Sequence, residues 1–143
     1  VRASSGLRSI AIHDPSPEAQ STLLGLAEDA DPAVAETALA GLTPQGDAVP
    51  RVISLAQTGF SWAVRVAAVD ALARAEGPAI TPALAQCALH DPFAAVRLAA
   101  VRALVQRAPR APEARAALDT VRAADADRSV RDAAVVAREG HAP

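Results

Sequence analysis

One short pattern, a turn residue followed by a valine and then two small residues, recurs four times along this chain. The anchor valines are Val34, Val64, Val96 and Val130, spaced by 30, 32 and 34 residues (64 − 34, 96 − 64 and 130 − 96). Small residues stand three and four positions after each valine, and a leucine stands eight positions after the first three. Self-similarity at a period of this length is typical of stacked supersecondary units that bury their apolar faces on one another. The spacing therefore predicts a protein built from repeated two-helix units.

The apolar composition favours closely packed helices over a β-sheet. The chain is 51% hydrophobic but only 2% aromatic, with no Tyr. Alanine is the main apolar residue; it has the highest helix propensity, and its small side chain lets helices approach closely. The apolar stretches are interrupted by charges well before the roughly 20 residues that a membrane span needs. We expect an all-α protein without a membrane span and, at a net charge of −2, without a nucleic-acid partner.

Residues that are absent point to the origin of the sequence. It contains no Lys, Asn or Met, all of which have AT-rich codons, so we expect a GC-rich and bacterial genome. The missing Met leads us to expect a piece of a longer protein. The single cysteine, Cys87, excludes a disulfide within the chain.

Capping residues and prolines divide the chain into helix pairs. We predict first helices at 17–28, 47–57, 78–89 and 112–124, and second helices at 32–43, 62–75, 92–107 and 128–138. These pairs form repeats at 16–43, 47–75, 78–107 and 112–138 within one domain spanning 1–143. Residues 1–13 match the second helix of a further, partial repeat. Its open N-terminal face would carry Leu7, Ile10 and Ile12, which predicts contact with another domain or self-association.

The pattern Asp-Pro-x-x-x-Val-Arg-x-x-Ala-Ala-x-x-Ala-Leu, nearly complete from Asp91 to Leu104, resembles the HEAT repeat. The short bacterial HEAT-like form, found in bilin lyases, is the most similar. Two departures are Gly59 in place of the turn acid and Ala35 in place of the arginine. The resemblance implies a right-handed α-solenoid of about four and a half stacked antiparallel helix pairs. Because such repeats serve scaffolds, adaptors, bilin lyases and DNA glycosylases, it implies a fold more than a function.

Three rare aromatic residues, Phe60, Trp62 and Phe93, stand near the starts of second helices. Aromatic side chains are common anchors of protein interfaces. We predict a partner-binding surface at these residues, with Arg97 and Arg102 adjusting its charge complementarity. The alternative is that the rings fill gaps left at the turn edge by alanine-rich helices.

An arginine follows the anchor valine in three repeats, as Arg65, Arg97 and Arg131. These residues could line a groove and bind acidic groups. They could instead form a ladder in which each pairs with a turn acid, such as Asp91 or Asp125, between neighbouring repeats. Because the family motif includes this arginine whatever the function, we favour the ladder.

Catalytic and metal chemistry find little support in the sequence. Cys87 and His90 lie one helical turn apart, but a zinc site needs about four ligands. No serine has the surroundings of a nucleophile elbow, and the carboxylates cluster at turns, where helix caps are expected. We predict no metal, no cofactor and no catalytic residue.

These observations predict a non-catalytic module that binds another protein within a larger bacterial protein. A first alternative is a bilin-lyase-like enzyme or its subunit, which needs a groove for a tetrapyrrole; the shortage of aromatics and histidines counts against it. A second alternative is a DNA-binding HEAT-like domain, which needs a basic groove that this slightly acidic chain does not suggest.

Overall fold

The computed structural model describes residues 16–139, with side chains described as far as Val135. This part of the chain is all-helical and contains no strand. The helices are α1 (Pro17–Ala27), α2 (Pro32–Gly41), α3 (Ala48–Thr58), α4 (Trp62–Ala73), α5 (Ile80–His90), α6 (Ala94–Arg107), α7 (Pro112–Ala124) and α8 (Arg128–Glu139). All of them begin and end within two residues of the predicted bounds. The partial repeat predicted at 1–13 and its open face lie outside the described residues.

Side-chain caps explain where several helices begin. The Oγ of Ser16 accepts a hydrogen bond from the backbone N–H of Ala19 at 3.2 Å, at the start of α1. Asp31 caps α2 through its Oδ1, and Ser61 caps α4 through its Oγ. These oxygens satisfy N–H groups that have no partner within the first turn of a helix.

Helix α6 begins two residues later than predicted. The Oδ1 of Asp91 accepts a hydrogen bond from the backbone N–H of Phe93 at 2.9 Å. Phe93, not Asp91, is therefore the N-cap residue, and its backbone is extended (φ −98°, ψ 126°). Asp91 closes a turn ahead of the helix, which is a common alternative use of an aspartate at such a junction.

The chain divides into two compact units, Val1–Glu76 and Gly77–Pro143. In the first unit, α1 packs on α2, α3 packs on α4, and the second helices α2 and α4 pack on each other. In the second unit, α5 pairs with α6 and α7 with α8. There the two first helices, α5 and α7, also pack together, as do the second helices α6 and α8.

The repeated positions of the sequence form the core of each unit. The leucines at the eighth position after the anchor valines, Leu42, Leu72 and Leu104, are all buried. Three of the anchor valines are also buried, whereas Val34 is half-buried. No helix that the structure describes is both long and apolar enough to cross a membrane.

Arg74 caps the carboxyl end of α2 from the end of α4. Its Nη2 donates to the backbone carbonyls of Leu39 and Leu42, both at 2.7 Å. We expect Arg74→Ala to lower the free energy of unfolding by about 1–2 kcal/mol, because two charge-assisted hydrogen bonds to helix-end carbonyls are lost.

Urea denaturation followed by circular dichroism measures the effect of removing Arg74. The matched control is Arg122→Ala, which removes an exposed arginine whose ion pair with Asp119 lies within one helix. We expect the control to change stability by less than about 0.5 kcal/mol. Equal losses in both variants would contradict the capping role.

Candidate functional site

Among the residues that the structure describes, the three aromatic side chains singled out in the sequence are the large apolar ones exposed to solvent. The exposed fraction is 65% for Phe60 and 48% for both Trp62 and Phe93. Phe60 and Trp62 flank Ser61, the N-cap residue of α4, in the first unit. Phe93 is the N-cap residue of α6 in the second unit. These rings do not form part of the core, and their role in binding a partner stays a prediction.

The arginines after the anchor valines share one backbone contact. Arg65, Arg97 and Arg131 each donate from Nη1 to the backbone carbonyl six residues earlier, at 2.8, 2.9 and 2.6 Å respectively. That carbonyl belongs to the turn between the two helices of the same repeat. Each arginine therefore holds its own turn against its second helix.

Arg97 also holds the next repeat. Its Nε lies 2.9 Å from Oδ2 of Asp125, and its Nη2 lies 3.2 Å from Oδ1. The exposed fractions of the two side chains are 13% and 5%. This two-pronged, largely buried ion pair confirms the ladder interpretation at Arg97. Partner binding by Arg97 stays a prediction, and it concerns a guanidinium that is already paired.

Arg102, the other arginine predicted to contact a partner, lies exposed on α6. Among the described residues, no hydrogen bond or ion pair engages its guanidinium. Its contact with a partner stays a prediction.

A cleft that the sequence did not predict opens in the first unit. Its volume is about 770 Å³, and it lies between α1, α3 and the loop that joins α2 to α3. Buried Leu24 and Leu42 provide apolar surface, and the other lining residues are mostly polar or small. They are Pro17, Gln20, Ser21, Gly41, Thr43, Gln45, Asp47, Ala48 and Arg51.

Two contacts that span α1, the loop and α3 shape this cleft. The side-chain Oε1 of Gln20 accepts a hydrogen bond from the backbone N–H of Thr43 at 3.0 Å. At the carboxyl end of α1, Glu28 forms an ion pair with Arg51 of α3. The hydrogen bond from Arg51 lowers the pKa of the Glu28 carboxyl, assisted by charge attraction and opposed by partial burial. The same pair raises the pKa of Arg51. The cleft therefore has an ion pair at its rim.

The Glu28–Arg51 pair predicts a pH-dependent contribution to stability. Because the pKa of Glu28 is lower in the folded state, its stabilisation is present above the ordinary value of 4.5 and is lost as the pH falls through the folded-state pKa. We expect the wild type to exceed Glu28→Gln in unfolding free energy at neutral pH. That difference should shrink as the pH falls below 4.5 and disappear once Glu28 is protonated in the folded state as well.

Urea denaturation of both proteins across this pH range measures the difference. Because both side chains are partly exposed, about 1 M NaCl should also reduce it. A difference that stays constant with pH would contradict the contribution of this pair.

The two potential metal ligands of α5 have different environments. Cys87 is buried, whereas His90 is exposed in the last turn of the helix. Among the described residues, no three His, Cys, Asp or Glu side chains are grouped as a metal site would require.

A family model described as HEAT repeats matches residues 49–138, which is more than half of the chain. This chain belongs to the HEAT-repeat family. The predicted all-α fold of stacked HEAT-like helix pairs is therefore confirmed. No curated protein matches the sequence significantly.

A solved structure shares the HEAT-like fold along most of its length. It is a chain in the complex of CpcE and CpcF of phycocyanin lyase from Nostoc sp. PCC7120. The TM-score is 0.76 at 22% sequence identity, and the match covers 95% of this chain and 86% of that one. At 22% identity, this structural similarity shows that the two chains share a fold.

This structural match corrects one prediction from the sequence. We predicted that the chain is not an enzyme, because its repeats carry no local catalytic motif. The matching chain is part of a lyase complex, so a HEAT-repeat chain of this size and fold does serve an enzyme. The lack of a motif within one chain was a poor argument, since an activity can reside in a complex.

Proposed function

We propose that this HEAT-repeat chain is one subunit of a two-chain, lyase-type enzyme that binds a linear tetrapyrrole, or bilin. The observation that carries the proposal is the agreement in fold with a chain of the phycocyanin lyase complex, over nearly the whole of both chains. The match extends over 95% of this chain and 86% of that chain, well beyond a single repeat. It supports a shared plan of assembly as well as a shared repeat.

The cleft of the first unit suits a ligand of this class. Its volume of about 770 Å³ falls within the range of roughly 300–1,000 Å³ that is usual for small-molecule sites. A bilin combines flat apolar rings with ring N–H groups, carbonyl oxygens and propionate carboxylates. In our proposal the rings lie on the apolar part of the cleft lining, and the polar ring atoms meet Gln20 and Ser21.

Arg51 is the residue that we assign to a bilin propionate. Its guanidinium lies at the rim and pairs with an exposed carboxylate, Glu28. A second carboxylate can share or replace that partner at small cost, because exposed ion pairs contribute little to stability. Arginine suits this role because its planar group binds carboxylates through two parallel hydrogen bonds.

The exposed aromatic residues provide the protein-binding part of the proposal. Trp62 and Phe93 are each about half exposed, and Phe60 is more so. Large rings at such positions bury much apolar area when a partner binds. We assign them to contact with the second chain or with the protein that receives the bilin.

The shortage of aromatic and histidine residues counted against a bilin lyase. It argues only against a site that binds the bilin by ring stacking. The cleft provides aliphatic surface from two leucines and hydrogen-bonding groups from glutamine, serine and threonine side chains. Our proposal therefore needs no aromatic stacking on the tetrapyrrole.

Titration with phycocyanobilin tests this proposal. We expect saturable binding to the purified chain, seen as a red shift and increase in visible absorbance, with micromolar affinity. Arg51→Ala should weaken binding about tenfold, which is typical of losing one charge-assisted contact. Arg102→Ala, an exposed arginine outside the cleft, should leave binding unchanged. Absence of saturable binding in a chain shown to be folded by circular dichroism would overturn the proposal.

A further inference from the structure

Helix α3 begins with an aspartate that does not cap it. Asp47 is the N-cap residue of α3, yet its backbone is helical (φ −67°, ψ −16°) and its side chain accepts no hydrogen bond from the first turn. Ser16, Asp31 and Ser61, by contrast, accept such bonds at the starts of α1, α2 and α4. The carboxylate of Asp47 therefore has no capping role in α3.

The first turn of α3 has no N–H group to offer this carboxylate. An N-cap side chain ordinarily accepts a hydrogen bond from the second or third residue of the helix. In α3 the second residue, Val49, already donates to the backbone carbonyl of Gly46 at 3.1 Å. The third residue is Pro50, which has no N–H. The local sequence thus explains why Asp47 does not cap the helix that it begins.

Asp47 lines the cleft of the first unit. Among the lining residues, Asp47 and Arg51 are the two ionisable side chains. They are four positions apart, so both lie on one face of α3, separated by about 6 Å along the helix axis. Arg51 pairs with Glu28, whereas Asp47 is exposed and forms no hydrogen bond or ion pair through its side chain with any residue that the structure describes.

A bound bilin needs acceptors for its ring N–H groups, because an N–H that leaves water without gaining a partner weakens binding. The Oε1 of Gln20 already accepts the backbone N–H of Thr43 at 3.0 Å, so the amide of Gln20 faces the ligand mainly as a donor. The hydroxyl of Ser21 is a neutral acceptor. Hydrogen bonds to a charged carboxylate are about twice as strong as neutral ones. Asp47 is therefore the strongest acceptor among the side chains of the cleft lining.

We infer that the carboxylate of Asp47 accepts hydrogen bonds from the pyrrole N–H groups of the bilin and holds the bilin in its protonated, cationic form. The location of this contact rests on the bilin site proposed above. A neutral bilin keeps one basic ring nitrogen without a proton, and protonation converts that nitrogen to an N–H and makes the ligand a cation. A neighbouring carboxylate favours the cation, because attraction between opposite charges raises the pKa of the basic nitrogen.

The spacing of Asp47 and Arg51 suits the inner rings of a bilin. Each inner ring has its nitrogen on one edge and its propionate on the opposite edge, and the distance across is similar to one turn of a helix. Asp47 therefore meets the nitrogen edge while Arg51 meets the propionate, both from α3. The charge of Arg51 opposes a cationic ligand, but Glu28 pairs with Arg51 at the rim and offsets that charge.

The visible absorbance of bound phycocyanobilin, titrated with pH, tests this contact, since the bilin cation absorbs at longer wavelength than the neutral bilin. We expect Asp47→Asn to lower the pH at which the bound cation loses its proton by about one unit and to weaken binding at neutral pH about tenfold. Glu36→Gln, which removes a carboxylate of α2 outside the cleft, should change neither. An unchanged spectrum and pH midpoint in Asp47→Asn would overturn the inference.

A purely structural role for Asp47 gives a different result. A carboxylate at the start of a helix also interacts favourably with the helix dipole. That role alone predicts that Asp47→Asn loses stability in urea but keeps the wild-type spectrum and affinity for phycocyanobilin, an outcome that would contradict the contact with the bilin. Asp47→Glu, which keeps the charge, should restore most of the long-wavelength absorbance.

The dimethyl ester of phycocyanobilin, whose propionates carry no charge, separates the contact of Asp47 from that of Arg51. We expect Asp47→Asn to weaken binding of the ester as it weakens binding of the acid, whereas Arg51→Ala no longer has an effect. If phycocyanobilin binds and Asp47→Asn changes nothing, the inference fails and the bilin site stands. If phycocyanobilin does not bind to the folded chain, the proposed function fails and the inference falls with it.

Discussion

Arg97→Ala is expected to lower the free energy of unfolding by about 3 kcal/mol. The variant leaves the carboxylate of Asp125, which is 5% exposed, without the two hydrogen bonds that Arg97 donates. One hydrogen bond to that carboxylate remains, from the backbone N–H of Asp127. A buried charge left without its partner costs much more than the ion pair itself contributes.

The matched control for Arg97 lies on the same helix. Arg102→Ala removes an exposed arginine of α6 that has no partner among the described residues, and should change stability by less than about 0.5 kcal/mol. Adding Asp125→Asn to Arg97→Ala should restore part of the loss, because it removes the orphaned charge. Urea denaturation of the wild type and these three variants gives the free energies of unfolding. Similar losses for Arg97→Ala and Arg102→Ala would contradict the structural role of the ladder.

Leu104→Ala is expected to lower the free energy of unfolding by about 3–4 kcal/mol. Leu104 occupies the repeated leucine position in α6 and is fully buried. Removing its side chain loses apolar burial and leaves a cavity in the second unit.

Leu98, which is half-buried on the same helix, provides the comparison for Leu104. Leu98→Ala should cost only about 1 kcal/mol, since less apolar area is lost and no closed cavity forms. The midpoint of urea denaturation measures both. Equal destabilisation of the two variants would contradict the assignment of the Leu104 face of α6 to the core.

Local chemistry explains why the sequence predicts the helices so closely. The caps at Ser16, Asp31 and Ser61 act on N–H groups two or three residues away, so their effect is encoded within one turn. The start of α6 was misplaced because an aspartate before a proline can cap a helix directly or close a turn ahead of it. Asp91 does the second, and the local sequence permits both.

The Arg97–Asp125 pair was predictable for a different reason. Its two members occur at fixed positions of a repeat, so the period brings them together once the helix pairs stack.

The cleft illustrates what sequence patterns leave out. The residues of α1 and α3, like those of α5 and α7, bury small and aliphatic side chains along one helix face. Yet α5 and α7 pack on each other, whereas α1 and α3 leave a cleft of about 770 Å³ between them. The separation of two helices depends on all the contacts of their repeats, and no short motif records it. The mistaken prediction of a non-catalytic chain has a related cause, because it considered only motifs within this one chain.

The most direct test of the proposed lyase-type function is deletion of the gene in its own organism, followed by zinc-induced fluorescence of bilin-bearing proteins on a denaturing gel. We predict that at least one fluorescent band disappears on deletion and returns with the wild-type gene. The band should return only weakly when the reintroduced gene carries Arg51→Ala, because the propionate contact is lost. It should return fully when the gene carries Arg122→Ala. An identical pattern of fluorescent bands with and without the gene would contradict the assignment of this chain to a bilin-handling enzyme.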